Sequence, residues 1–467
     1  MVCFMLPGLA HAEECVPKTQ PQPQPTVTVT SSQELIEAIR AAHGNGPKSI
    51  HLRAGTYRVP KRGFVIRVNG LNIQGEPGQR DKTVIRGDGM RGNATHVFLV
   101  QGKNFQVAHL TLGWVKHHVV QVQGERGASS PRFFDVAFIN AGQQLFKVTG
   151  RGGNTADQGV IRNSLFEFPG GVAAQGYTGG IDAHRAADWI IEGNVFRHIR
   201  SPDSGLAEHA IHFWNGSRGT IVRYNKIFNA DRGIGFGLGQ KGHQGGIIAN
   251  NFVHVSRDVG IGLESSPGTK VIHNTVFVSN EYPNAIEYRF NSTRDVLILG
   301  NLTNAAIKSR NDGDAVVEGN VDYATRHWFK DALSGDLHLD RGIPDVTKAR
   351  ATLPEVLLDV DCEHRAPGGP TDIGADHSPL APDTALEVPR PSSLDRALTQ
   401  IGGQWQRLES RLAQFNAGPP LWKFALFGGV VFALITIIQL WLLMKIFRRT
   451  SKIEKDIQSI TTRKGPS

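Results

Sequence analysis

The chain has 467 residues, of which 53 are Gly, about 11% against a usual share near 7%, and only 20% are charged. An apolar content of 40% excludes a disordered protein, three Cys exclude a disulfide scaffold, and the length points to several domains or one elongated repeat array. The net charge of +9 is no nucleic-acid footprint, because residues 445–467 carry +5 of it and the rest of the chain shares +4.

In chain order, residues 1–12 (MVCFMLPGLAHA) end in Ala10-His11-Ala12, the small-x-small pattern that signal peptidase prefers. The apolar stretch is short and lacks preceding basic residues, as expected of the remnant of a longer signal peptide. Cleavage would remove Cys3 and leave Cys15 and Cys362. One disulfide is permitted in that compartment, and sequence does not show whether these two meet. A Pro-rich linker, residues 13–26, follows.

The middle of the chain repeats. Short apolar stretches carry an Asn at one place: VIRNSLF (Asn163), IIEGNVF (Asn194), IVRYNKIF (Asn225), IIANNFV (Asn251), VIHNTVF (Asn274), LILGNLT (Asn301) and VVEGNVD (Asn320). VAHLTL (His109) and FFDVAF (Asp135) fit as weaker members. Between successive Asn stands a second strand: IDAHR from Ile181, IHFWN from Ile211, IGFGL from Ile234, IGLES from Ile261, IEYRF from Ile286 and IKSRN from Ile307. A unit of about 20–30 residues with two or three short strands and no helix is one coil of a solenoid. An Asn at a fixed place can satisfy backbone groups at a bend and stack on its neighbour; the rival explanation is seven ordinary turn asparagines.

These coils resemble the right-handed parallel β-helix of the pectate-lyase-like superfamily, an all-β solenoid, over residues 27–377. The resemblance implies that Gln33–Ala42 (QELIEAIRAA) is a capping helix and that Ile50–Val59 (IHLRAGTYRV) is a strand ending in a Gly-Thr-Tyr turn. It also implies that Asp336-Leu337-His338-Leu339 and Thr371-Asp372-Ile373-Gly374-Ala375-Asp376 close the solenoid. These motifs speak for the fold and much less for a reaction.

Beyond it, residues 378–391 form a second linker. Residues 392–416 carry apolar side chains at Leu394, Leu398, Ile401, Trp405, Leu408, Leu412 and Phe415, an a/d heptad seam. This helix is either a short self-associating stalk, giving a homo-oligomer through residues 394–415, or a helix lying on membrane or ectodomain. Residues 421–444 (LWKFALFGGVVFALITIIQLWLLM) are uncharged from Phe424 to Met444 and long enough to span a bilayer as one helix. The basic tail, residues 445–467, then lies in the cytoplasm by the positive-inside rule. The expected location is a bacterial-type inner membrane, single-pass, with the β-helix on the periplasmic or extracellular side.

Aligning the second strands gives two outward columns. One reads Asp182, His212, Gly235, Gly262, Glu287, Lys308, and the other His184, Trp214, Gly237, Glu264, Arg289, Arg310. At a coil spacing of about 4.8 Å, the glycines should leave a recess about 10–15 Å long, the length of two sugar rings. Long loops after Asn163 and Asn194 should overhang the Asp182 and His212 rungs as a wall.

These residue types suit an acidic polysaccharide. Trp214 offers a face to a sugar ring, and Arg289, Lys308 and Arg310 can pair with carboxylates. β-Elimination of a uronan needs a base at C5, a cation on the neighbouring carboxylate and an acid for the leaving oxygen. His212 or His184 is the candidate base and Arg289 or Lys308 the neutraliser, with Glu208, Asp182, Glu264 and Glu287 as further carboxylates. Glu264 and Glu287 sit on adjacent coils, near enough to share a hard cation such as Ca²⁺. Neither an Arg-Pro-x-x-Arg nor a DPHD stretch occurs. The expected function is therefore binding and modification of a uronate-type polysaccharide, as lyase, epimerase or hydrolase. The alternative is a non-catalytic carbohydrate-binding or scaffolding module whose outward residues are an ordinary polar surface.

Overall fold

The computed structural model describes residues 27–340, 354–365 and 372–377. The signal remnant, both linkers, the heptad helix, the 421–444 segment, the basic tail and Cys15 lie outside them. Among the described residues no helix is long and apolar enough to cross a membrane. Cys362 is disulfide-bonded, with its partner also outside the described residues.

The described chain is an all-β parallel solenoid. Helix Ser32–Ala42 covers its first coil: Ser31 Oγ caps the Glu34 N–H at 3.2 Å, and Leu35, Ile39 and Ala42 are buried. Ten parallel strands then stack into one sheet, from Phe64–Ile66 through Ile181–His184, Ile211–Trp214, Ile234–Phe236, Ile261–Glu264 and Asn284–Arg289 to Ala306–Arg310. The other faces form a twenty-stranded sheet, two strands per coil over most of its length.

Period-two alternation sets the register. Phe64, Phe98, Val120, Phe146, Ile181, Ile211, Ile234, Ile261, Ile286 and Ile307 pair in succession and point inward. Each fully buried member is worth about 1.5–3 kcal/mol. A slip of one residue would turn this stack to solvent, so the ten strands hold one alignment. On the opposite wall Phe138, Phe166 and Phe196 stack with centroids 4.5 Å apart.

The Asn series forms a continuous ladder. The amide oxygens of Asn225, Asn251, Asn274, Asn301 and Asn320 each accept from the backbone N–H of the preceding ladder Asn, at 2.8–3.1 Å. The residue just before each rung has positive φ: Gly193, Tyr224, Asn250, His273, Gly300 and Gly319. In the three earlier coils the expected alignment is off by one. Asn163, Asp135 and His109 occupy this left-handed position (φ 49°, 50° and 58°), and the rung in the Asn163 coil is Ser164, whose N–H donates to Asn194 Oδ1 at 2.9 Å. Asn, Asp and His all tolerate the left-handed region, which is why these residues imitate a rung.

Phe329, Leu337 and Ile373 pack on Phe252, Phe277 and Leu302 of the later coils, with the antiparallel pair Phe329–Asp331 and Asp336–Leu339. Val316 and Val317 of the last coil stay exposed, so the expected closing motifs lie along the flank of these coils and not over the end. Arg365 is buried there and donates to the carbonyls of Asp372 and Gly374 at 2.9 and 2.8 Å. His338 contacts Asp361 at 2.6 Å and also hydrogen-bonds Asp336, with Lys226 on the far oxygen of Asp361 at 2.9 Å. The Asp361 hydrogen bond, helped by Asp336 and opposed by burial, raises the His338 pKa above 6.5. This contribution to stability is complete below about pH 6.5 and is lost as pH rises through the raised value. Thermal stability should therefore fall between neutral and mildly alkaline pH, and a scan of melting temperature against pH should show a flatter curve for His338→Gln.

Candidate functional site

The sheet register brings the outward residues into line. One column runs Lys147, Asp182, His212, Gly235, Gly262, Glu287, Lys308. The next carries His184 beside Trp214 and, beyond the Gly237 coil, Glu264, Arg289 and Arg310. Lys147 was not among the expected residues. Its strand reads FKVT where the next reads IDAH, so setting Phe146 under Ile181 would have found it.

At one end these groups satisfy one another. Asp182 is buried and takes the Lys147 ammonium on Oδ2, the Trp214 indole N–H on Oδ1 at 2.7 Å and His184 Nε2 at 3.2 Å. Burial raises the Asp182 pKa, but the His184 hydrogen bond and the Lys147 charge outweigh it and hold the carboxyl far below its usual range. Trp214 stacks on His212 at 5.5 Å and meets the His184 ring edge at 4.2 Å, while Lys241 Nζ lies 5.5 Å from its ring centre. Trp214 is thus wedged among its neighbours and only part of it remains open.

His212 cannot serve as a solvent-facing base in this structure. It is fully buried, and its Nε2 lies 3.1 Å from the Gly237 carbonyl, which can only accept. Asp182 and Glu287, each 2% exposed, are equally interior and are not spare acids. The half-exposed members of the expected set are His184, Trp214, Glu208, Glu264, Arg289 and Arg310, and Lys308 is exposed.

The glycine floor is also occupied, by the protein itself. His209, from the loop before the Ile211 strand, lays its ring over Gly235, where a Cβ would come within 2.7 Å of it. Burial, reinforced by Arg232, pushes the His209 imidazole well below its usual pKa. Gly237 serves the backbone instead: it turns with φ 83°, one residue earlier than the adjoining coils, and a Cβ there would sit 1.7 Å from the Glu264 carbonyl oxygen. What remains of the expected recess is a cavity of about 60 Å³ bounded by His209, Arg232, Gly262, Tyr282, Glu287 and Arg289 among others, far below the 300–1,000 Å³ of ligand sites. Loop irregularity hides this, because no periodicity places His209. Gly235→Ala should cost roughly 1–3 kcal/mol by displacing that ring. Gly262→Ala, whose new carbon meets nothing nearer than 3.5 Å, should cost under about 1 kcal/mol. Paired thermal melts would show the difference.

At the other end, each carboxylate of the expected Ca²⁺ pair is met by its own arginine. Glu264 accepts from Arg289 at 2.8 Å and from the Gly239 N–H at 2.5 Å. Glu287 accepts from Arg310 at 2.9 and 3.0 Å, from Tyr282 at 2.5 Å and from Asn284 at 2.6 Å. Burial and the Glu287 carboxylate raise the Tyr282 pKa, so this phenol stays protonated.

A larger opening lies alongside, where the chain turns out of the site strands. This groove of about 580 Å³ is lined by Arg185, Arg218, Lys241 and Arg294, with Asn215, Gln240, Gln244, Ser265 and Ser292 among the neutral residues, and among the described residues no carboxylate lines it. Arg185 and Asn215 directly follow His184 and Trp214, so the groove runs beside the second column. Its cations sit in turns or, for Arg218, in the short strand Ser217–Arg218, which the strand alignment does not cover.

No protein-family model matches the chain, and no curated protein matches it. Among solved structures it is similar to the pectate lyase Pel9A (13% identity, TM-score 0.47, covering 72% of this chain and 89% of that one). It is also similar to an alginate lyase from Paenibacillus sp. str. FPU-7 (15% identity, TM-score 0.36, covering 63% and 99%). A third similar structure is PfbA, a surface adhesin of Streptococcus pneumoniae (11% identity, TM-score 0.40, covering 62% and 87%).

Proposed function

We propose that this protein binds an acidic, uronate-type polysaccharide in the basic groove beside the second column. The observation that carries the reading is the groove itself, which has ligand-site volume, four cationic side chains and, among the described residues, no acid on its walls. Guanidinium groups pair bidentately with carboxylates, and spaced cations match a polymer bearing one carboxylate per ring. We also propose that residues 421–444 hold the chain in a membrane with the solenoid on the extracytoplasmic side, on the strength of the uncharged run from Phe424 to Met444 and the basic run after it.

The finer reading is that the bound polymer is also modified, by elimination, epimerisation or hydrolysis. Support comes from half-exposed His184, oriented by Asp182 and 3.1 Å from Lys147 Nζ, at the groove's edge. The non-catalytic reading is favoured by a different observation: Asp182, His212 and Glu287 are buried against other side chains. Full-length protein should be incubated with pectate, alginate and glycosaminoglycan panels. Retention of these polymers but not of neutral glucan supports binding. Unsaturated products absorbing near 235 nm, new reducing ends or altered epimer ratios support modification. Bound polymer with none of these leaves the binding module, and failure to retain any acidic polymer refutes the proposal.

A further inference from the structure

Glu208, His209 and His212 stand apart from the acid–base pairs described above. Their ligand-capable atoms all lie within 4.8 Å of one another. Three of these atoms, Glu208 Oε2, His209 Nδ1 and His212 Nδ1, are buried and make no hydrogen bond. His209 is 6% exposed and His212 0%.

The tautomer of His212 sharpens the problem. Its Nε2 faces the Gly237 carbonyl, an obligate acceptor, at 3.1 Å, so the ring proton of neutral imidazole belongs there. His212 Nδ1 lies 3.1 Å from Glu208 Oε2 but is not aligned to hydrogen-bond it, so both atoms stay unsatisfied. A cation held between them would satisfy both. For a zinc-class ion with bonds of about 2.1 Å, tetrahedral ligand atoms stand about 3.4 Å apart, close to the observed separation. Bringing in His209 from within 4.8 Å needs side-chain movement of about 1 Å. Two imidazoles and one carboxylate form a donor set for Zn²⁺, Co²⁺ or Fe²⁺ and not for an all-oxygen Ca²⁺ cage.

The local surroundings include one competitor. Arg232 Nη2 lies 3.6 Å from Glu208 Oε2, with its Nε donating to the Ala207 carbonyl at 2.9 Å. Without a metal, Arg232, Glu208 and a protonated His212 would form a purely structural ion-pair cluster. His209 Nδ1 has no part in that cluster and stays unpartnered, whereas a metal ion uses all three residues.

We propose that Glu208, His209 and His212 bind a divalent transition-metal ion of the zinc class. The proposal does not rest on saccharide binding and is read by ion content alone. Metal-free full-length protein should be titrated with Zn²⁺ against a chromophoric chelator and with Co²⁺ while visible absorption is followed. One equivalent of Zn²⁺ should bind, and Co²⁺ should give the visible bands of four-coordinate nitrogen and oxygen ligation. Glu208→Gln and His209→Gln should each weaken binding by more than about 100-fold, beyond what outer groups alone cost. His338→Gln, in the other group of potential ligands, should leave binding unchanged. No saturable binding by the unaltered protein overturns the proposal whatever the variants do. Binding that survives both Glu208→Gln and His209→Gln overturns it too, by placing the ion elsewhere.

Discussion

Asn251→Leu should lower the stability of the solenoid by about 3–6 kcal/mol, a large share of the roughly 5–15 kcal/mol typical of a native domain. The substitution nearly keeps volume but deletes five hydrogen bonds. Asn251 Oδ1 accepts from the N–H and the side-chain amide of Asn225, both at 3.0 Å, and its own amide donates to Val222 O, Ala249 O and Asn274 Oδ1 at 2.9–3.0 Å. All of this is buried, with Asn225, Asn251 and Asn274 at 0% exposure, so water cannot replace the lost partners. Each orphaned group costs about 1–3 kcal/mol, and two or three would find no substitute. A solenoid coil also leans on both neighbours, so one lesion in mid-array weakens two interfaces. Asn320, at the last rung, is partly exposed, and Asn320→Leu should cost only about 1 kcal/mol. Urea midpoints of the two variants would check the gradient.

The second large effect is on affinity. Arg218→Glu combined with Lys241→Glu should weaken binding of an acidic polysaccharide by at least about 30-fold. Two exposed cation–carboxylate contacts become repulsions, a change of roughly 2 kcal/mol, and 1.4 kcal/mol is tenfold. Both side chains stand at the groove surface, and Arg218 enters the fold through its backbone, with its N–H donating to the Ala186 carbonyl at 3.1 Å. Melting temperature should therefore stay within a degree or two while affinity falls. The same loss in a double variant with a collapsed melting temperature would speak for misfolding instead.

The coils are legible in the sequence because solenoid physics repeats at every turn. A buried isoleucine beneath the next fixes the strand register, and with it the columns from Asp182 to Lys308. Rung and turn proved harder to separate. Asn serves both as ladder residue and at the left-handed position before it, so Asn163, Asp135 and His109 read one place out. Lys147 was lost because the early coils lack the Asn that anchored the alignment. His209 and the groove cations Lys241 and Arg294 lie in loops and turns, and Arg218 in the two-residue strand Ser217–Arg218, outside the repeated strands that anchored the alignment. The expected recess failed for the same reason: glycines lower a floor, but only coordinates show whose side chain fills it. The buried states of His212 and Glu287 were out of reach as well, since outward on a strand does not mean open to solvent when a loop lies above.

The most direct test of the binding account is an isotherm of the full-length protein with polygalacturonate and with neutral glucan of matched length, at low and at near-molar salt. The account predicts saturable binding of the acidic polymer alone, weakened strongly as salt screens the groove's arginines and lysine. Equal affinity for both polymers, or binding indifferent to salt, would contradict it.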